Sequence, residues 1–103
     1  MTQKFDLIDV ENIEGNATSE EDYFCSLQRA INSGSAWSLQ GSYGRAMMDA
    51  LDSGSCMLGP TEARDYWGNH IPSRDQVQAG SKGSRAFVVK HRDEDWAVML
   101  DNA

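Results

Sequence analysis

Thr18-Ser19-Glu20-Glu21-Asp22-Tyr23-Phe24-Cys25-Ser26-Leu27-Gln28-Arg29-Ala30-Ile31-Asn32-Ser33-Gly34 is the stretch that decides the fold class. Thr18 and Glu21 have the spacing of a capping box, in which a hydroxyl and a carboxylate satisfy each other's free backbone N–H groups. Glu20, Glu21 and Asp22 fill the first turn, where the helix dipole favours negative charge. Phe24, Leu27 and Ile31 follow at helical spacing with Tyr23 and Ala30 beside them, and Gly34 is a suitable stop. The pattern predicts a helix over residues 19–32.

Toward the C-terminus, Ser35 opens a second apolar stripe of Trp37, Leu39, Tyr43, Ala46, Met47, Ala50 and Leu51, which Gly54 ends. Gly41 and Gly44 interrupt it, each at a cost of about 1 kcal/mol relative to Ala in a helix interior. Either the helix begins near Ser42 or the glycines admit a close neighbour. A helical pair over 19–53 with a short turn is expected, antiparallel or angular. Residues 55–58 form a short apolar link that Gly59-Pro60 breaks, and Pro60 at a first helical position predicts a short helix to Trp67. Residues 68–83 carry four glycines and prolines among serines and read as a long loop, with one helical turn near 73–77.

The C-terminal element, 84–100, is read as a helix capped by Ser84 and interrupted by the polar run 90–95. The alternative is a hairpin with Phe87-Val88-Val89 and 96–100 as strands. On the N-terminal side, Phe5-Asp6-Leu7-Ile8-Asp9-Val10 alternates as a strand or an extended arm within an acidic segment 1–17, and Gly15-Asn16 signals a turn. The fold class is therefore mainly α: one small helical domain over 1–103 with a short N-terminal extended segment. An α+β domain with a C-terminal hairpin is the alternative.

The chain has 103 residues and is 40% hydrophobic, enough for one core. Its longest apolar runs, 86–89 and 96–100, are far below the ~20 residues of a membrane span. No basic region followed by an apolar run opens the sequence, so no export signal and a cytoplasmic location are expected. Cys25 and Cys56 then read as reduced, buried thiols, with a single disulfide as the alternative.

The net charge of −7 is concentrated in residues 1–22, where Asp6, Asp9, Glu11, Glu14, Glu20, Glu21 and Asp22 face Lys4 alone. Such a segment repels nucleic-acid phosphates and attracts a basic surface. Its expected contact residues are Asp9, Glu11, Glu14, Glu20 and Glu21, and the plainer reading is a solvated edge. Gln40 and Arg45 on the second helix would face a DNA groove only beside Asp49 and Asp52, so nucleic acid is not expected as a partner.

Catalytic and metal signatures are absent from the sequence. Cys25, Cys56, His70 and His91 lack zinc-site spacing, and no nucleophile elbow or phosphate loop occurs. No catalytic residue, metal or cofactor is expected. One cluster stands out: Arg64-Asp65-Tyr66-Trp67-Gly68-Asn69-His70-Ile71-Pro72-Ser73-Arg74. Arg64, Tyr66, Trp67, His70 and Arg74 belong largely to the residue types that dominate binding hot spots. The cluster is either a loop pinned to the core by its aromatics or a binding loop.

The wording of Ser42-Tyr43-Gly44-Arg45-Ala46-Met47-Met48-Asp49-Ala50-Leu51, Cys56-Met57-Leu58-Gly59, Asp65-Tyr66-Trp67-Gly68-Asn69 and Pro72-Ser73-Arg74 resembles small uncharacterised proteins of tailed bacteriophages, over residues 42–84. The resemblance carries no active-site residues. It implies a protein made in an infected bacterium that binds and redirects host machinery. The expected function is a non-catalytic protein-binding protein, an inhibitor or modulator of a host protein with a basic surface. The alternatives are a small enzyme or ligand-binding domain with Tyr66, Trp67, His70 and Arg74 around a pocket, and a virion or scaffold component.

Overall fold

Ser19, one residue after the expected Thr18, caps the first long helix in the computed structural model. Its hydroxyl accepts from the Asp22 N–H at 3.0 Å, while Thr18 donates its own hydroxyl to the Asp22 carboxylate at 2.8 Å. The structure describes residues 4–39 and 41–103; the expectations that fell on 1–3 and on Gln40 lie outside them. The chain is mainly helical. Its helices are α1 (Leu7–Glu11), α2 (Glu20–Ser33), α3 (Gly41–Asp52), α4 (Arg85–His91) and α5 (Glu94–Asp101). A two-stranded antiparallel hairpin of β1 (Ala63–Arg64) and β2 (His70–Ile71) lies between α3 and α4.

The N-terminal segment is helical, not extended as its alternation suggested. Asp6 caps α1, accepting from the Leu7 N–H at 2.7 Å, and the Asp9 carboxylate accepts from the Asp6 N–H at 3.0 Å. This reciprocal cap is available only in a helix. No strand among the described residues lies beside it to pair with. Val10 and Ile13, three apart, turn toward the core, while Leu7 and Ile8 stay exposed. One wide helical turn, Asn12–Asn16, follows and breaks at Gly15, whose φ of 113° disfavours a side chain.

α2 buries Leu27, Ala30 and Ile31. After Gly34 a short 3-10 turn, Ser35–Ser38, drives Ala36 and Trp37 inward, so the second apolar stripe begins before α3 rather than within it. α3 adds Tyr43, Met47, Ala50 and Leu51 to the same core. The 55–58 link is core as well, since Ser55, Cys56, Met57 and Leu58 are all buried. A buried link leaves backbone groups without water, and these must be paired. The fully buried Gln28 side chain does this for Met57, donating to its carbonyl at 2.8 Å and accepting from its N–H at 2.9 Å. The Trp96 indole N–H donates to the Ser55 carbonyl at 2.9 Å. Cys25 and Cys56 are unpaired thiols.

Pro60 starts no helix; the chain turns instead into β1. The turn expected near 73–77 is the 3-10 turn Arg74–Gln76, capped by Ser73. At the C-terminus the helical reading holds, but as two helices. Arg92 leaves helical geometry at φ −117°, ψ −96°, and Asp93 restarts the chain by accepting from the Trp96 N–H at 2.8 Å. The polar run is thus a C-terminus and an N-cap back to back. Arg85 spans the bend, donating to Asp101 at 2.8 Å and pairing with Glu94 at 3.1 Å. No helix among the described residues is long and apolar enough to cross a membrane.

Candidate functional site

Residues 65–69 form a turn held by one carboxylate. Asp65 Oδ1 accepts from the N–H groups of Trp67 at 3.0 Å and Asn69 at 2.8 Å, and Oδ2 accepts from the Asn69 amide at 3.2 Å. Across its base the Asp65 N–H donates to the Asn69 carbonyl at 3.0 Å. Arg64 donates to the Gly68 carbonyl at 3.0 Å. An aspartate that satisfies N–H groups two and four residues on replaces the helix that Pro60 seemed to announce. Desolvation alone would raise the Asp65 carboxyl, but the donors from Asn69, Trp67 and Gly68 outweigh it and hold it below its ordinary value, so the clamp stays ionised at neutral pH.

This turn carries Tyr66 and Trp67 out of the core, 58% and 59% exposed. Their rings meet edge to face, with centroids 5.4 Å apart. Trp67 is nonetheless seated. A Cβ on Gly41 would lie 2.7 Å from its indole and one on Gly44 3.9 Å away. The two glycines in the α3 stripe therefore admit an indole ring, not a neighbouring helix. Beside the ring is an open depression lined by Leu39, Gly41, Ser42, Arg45, Tyr66 and Trp67. Arg45 makes no hydrogen bond or ion pair among the described residues. Met48, 44% exposed, continues the apolar surface along α3.

The sequence-derived candidates divide. Tyr66 and Trp67 are exposed side by side. Of the acidic candidates, Glu14 shares a lining residue, Ser42, with this surface, and it accepts from the Tyr43 hydroxyl at 2.7 Å. Burial first, and that hydrogen bond second, push the Tyr43 hydroxyl up to about 12. Glu11 and Glu21 are exposed. Glu20 is exposed too, but it accepts from Arg92 at 2.6 Å, which holds its carboxyl below the ordinary value.

Asp9 is corrected outright as a contact residue. It is 1% exposed and accepts from Arg29 at 2.8 Å and from the Ser26 hydroxyl at 2.9 Å. It ties α1 to α2. Arg74 also looks inward, donating to the Leu58 carbonyl at 2.8 Å, and burial lowers its pKa. His70 contacts Glu62 at 2.5 Å and lines a separate apolar cleft with Leu51, Ile71 and Val77. The hydrogen bond from His70 holds Glu62 below its ordinary value. Residues missed by sequence reasoning are Arg45, Leu39 and Met48. The signal for them was the glycine pair that interrupts the α3 stripe.

Chemically the surface offers two aromatic faces, aliphatic edges and a guanidinium. Burial pushes both thiols, Cys25 and Cys56, above their ordinary range, and therefore away from the reactive thiolate. Among the described residues, no group of three or more His, Cys, Asp or Glu is placed to hold a metal ion. Comparison with protein-family models, with curated proteins and with solved structures finds no match in any of the three.

Proposed function

We propose that this chain is a non-catalytic protein-binding protein, of the kind a tailed bacteriophage makes to modulate a host protein, and that Trp67, Tyr66 and Arg45 form its contact surface. One observation carries the reading. The three residue types most enriched at binding hot spots meet at one depression, where the Asp65 clamp holds the turn and the Gly41 seat holds the Trp67 ring without burying it. Rings fixed before binding lose little freedom on binding.

Asp6, Glu11, Glu14, Glu21 and Asp22 form no ion pair among the described residues, and Lys4 is the one base in the sequence of segment 1–22. They favour approach of a partner with basic surroundings and work at longer range than the aromatic contact. The test is a photo-reactive phenylalanine analogue placed at position 66 of the full chain, expressed in bacterial cells. A single dominant adduct that disappears when Trp67→Ala is added is the expected result. No adduct, or one indifferent to Trp67→Ala, contradicts the reading.

A further inference from the structure

Arg45 is the exception among six arginines. Arg29 pairs with Asp9, Arg85 with Asp101 and Glu94, and Arg92 with Glu20. Arg64 and Arg74 donate to the carbonyls of Gly68 and Leu58. Arg45 alone has no partner among the described residues, in a chain with 16 carboxylates. The depression it lines beside Trp67 and Tyr66 has no carboxylate in its lining. The nearest acid on its own helix, Asp49, is one turn further on, lines the adjoining depressions and does not pair with it.

We infer that this depression receives an acidic side chain of the partner, presented next to an apolar or aromatic one. This deepens the proposed function and rests on it. The carboxylate meets the Arg45 guanidinium, whose planar fork accommodates both oxygens. The neighbouring apolar side chain lies against Trp67, Tyr66 and Leu39. The local demand is therefore opposite in sign to the field of the N-terminal segment: basic surroundings bring the partner in, and an acidic residue seats it. A nucleotide has the same two parts, a planar ring and an anion, but the net charge of −7 opposes the phosphate more than a single carboxylate.

The test follows the Trp67 indole N–H by NMR in the full, isotope-labelled chain. The probes are three blocked tetrapeptides carrying phenylalanine next to aspartate, asparagine or lysine, and adenosine monophosphate. The expected result is tightest binding by the aspartate peptide, at least about fivefold tighter than the asparagine one, because a hydrogen bond to a charged group exceeds a neutral one. Arg45→Gln removes that difference, and Trp67→Ala weakens all the peptides together. Equal binding of the aspartate and asparagine peptides overturns the inference, as does tighter binding of the lysine peptide or the nucleotide. In those cases Trp67 still responds and the contact surface stands. If no probe shifts Trp67, the inference and the proposed contact surface fail together.

Discussion

The N-terminal acidic segment and the 65–69 turn make opposite use of their conspicuous residues. In the first, charge that looks like a binding signal is partly absorbed into the fold: Asp6 caps α1, Asp9 anchors it to Arg29, and Glu20 holds Arg92. In the second, aromatic rings that look like core are left facing solvent. The difference lies in chain geometry. A carboxylate at a helix start is next to free N–H groups and a favourable dipole, so local structure recruits it. The hairpin tip lays Trp67 on the surface of α3 at Gly41 and Gly44 rather than inserting it into the core.

The two regions differ most in stability terms at Asp9. Asp9→Ala leaves Arg29 beside an empty, buried position, and removing one member of a buried pair costs about 3–5 kcal/mol. Urea denaturation of the variant checks this. A change near zero would return Asp9 to the surface and to the contact residues. Trp67→Ala should do the reverse. Its effect on stability is about 1 kcal/mol or less, and its effect on partner affinity is at least about tenfold, the range of a hot-spot residue.

Gly41→Ala sharpens the picture between these two. The added Cβ would lie 2.7 Å from the Trp67 indole, so this half-exposed ring must shift. Stability should change by no more than about 1 kcal/mol, because Gly41 is the first residue of α3 and the ring it displaces is exposed. Trp67 emission and partner affinity should both shift. The smallest effect is at Glu20. Its folded pKa lies below the ordinary 4.5, so its contribution is present above that value and is lost as the pH falls through the folded pKa. The stability difference between the wild type and Glu20→Gln, measured by denaturation at a series of pH values, should be full near neutrality and close in acid.

What was legible in the sequence follows the same physics. The helix over 19–32, its acidic first turn and its Gly34 stop depend on neighbours in sequence, and α2 is there. Segment 84–100 reads as helix from its Ser84 cap and apolar stripe, but its bend depends on Asp93 acting as a cap, which the polar run hides. The strand reading of residues 5–10 followed an alternation that the Asp6–Asp9 cap overrides. Tyr66 and Trp67 were found because of their residue types. Arg45 was not, because an arginine without a partner among the described residues can be recognised only after the partners of the other five are known.

In the proposed function, contact belongs to the 65–69 turn and its α3 seat, while the acidic segment builds part of the fold and sets the field. The most direct measurement compares the affinity of the cross-linked partner for Trp67→Ala and for the double variant Glu11→Gln, Glu21→Gln at about 0.15 M salt, where exposed charges are screened beyond roughly 8 Å. The proposed contact surface predicts at least about a tenfold loss for Trp67→Ala and less than about threefold for the double variant. The reverse order would contradict it.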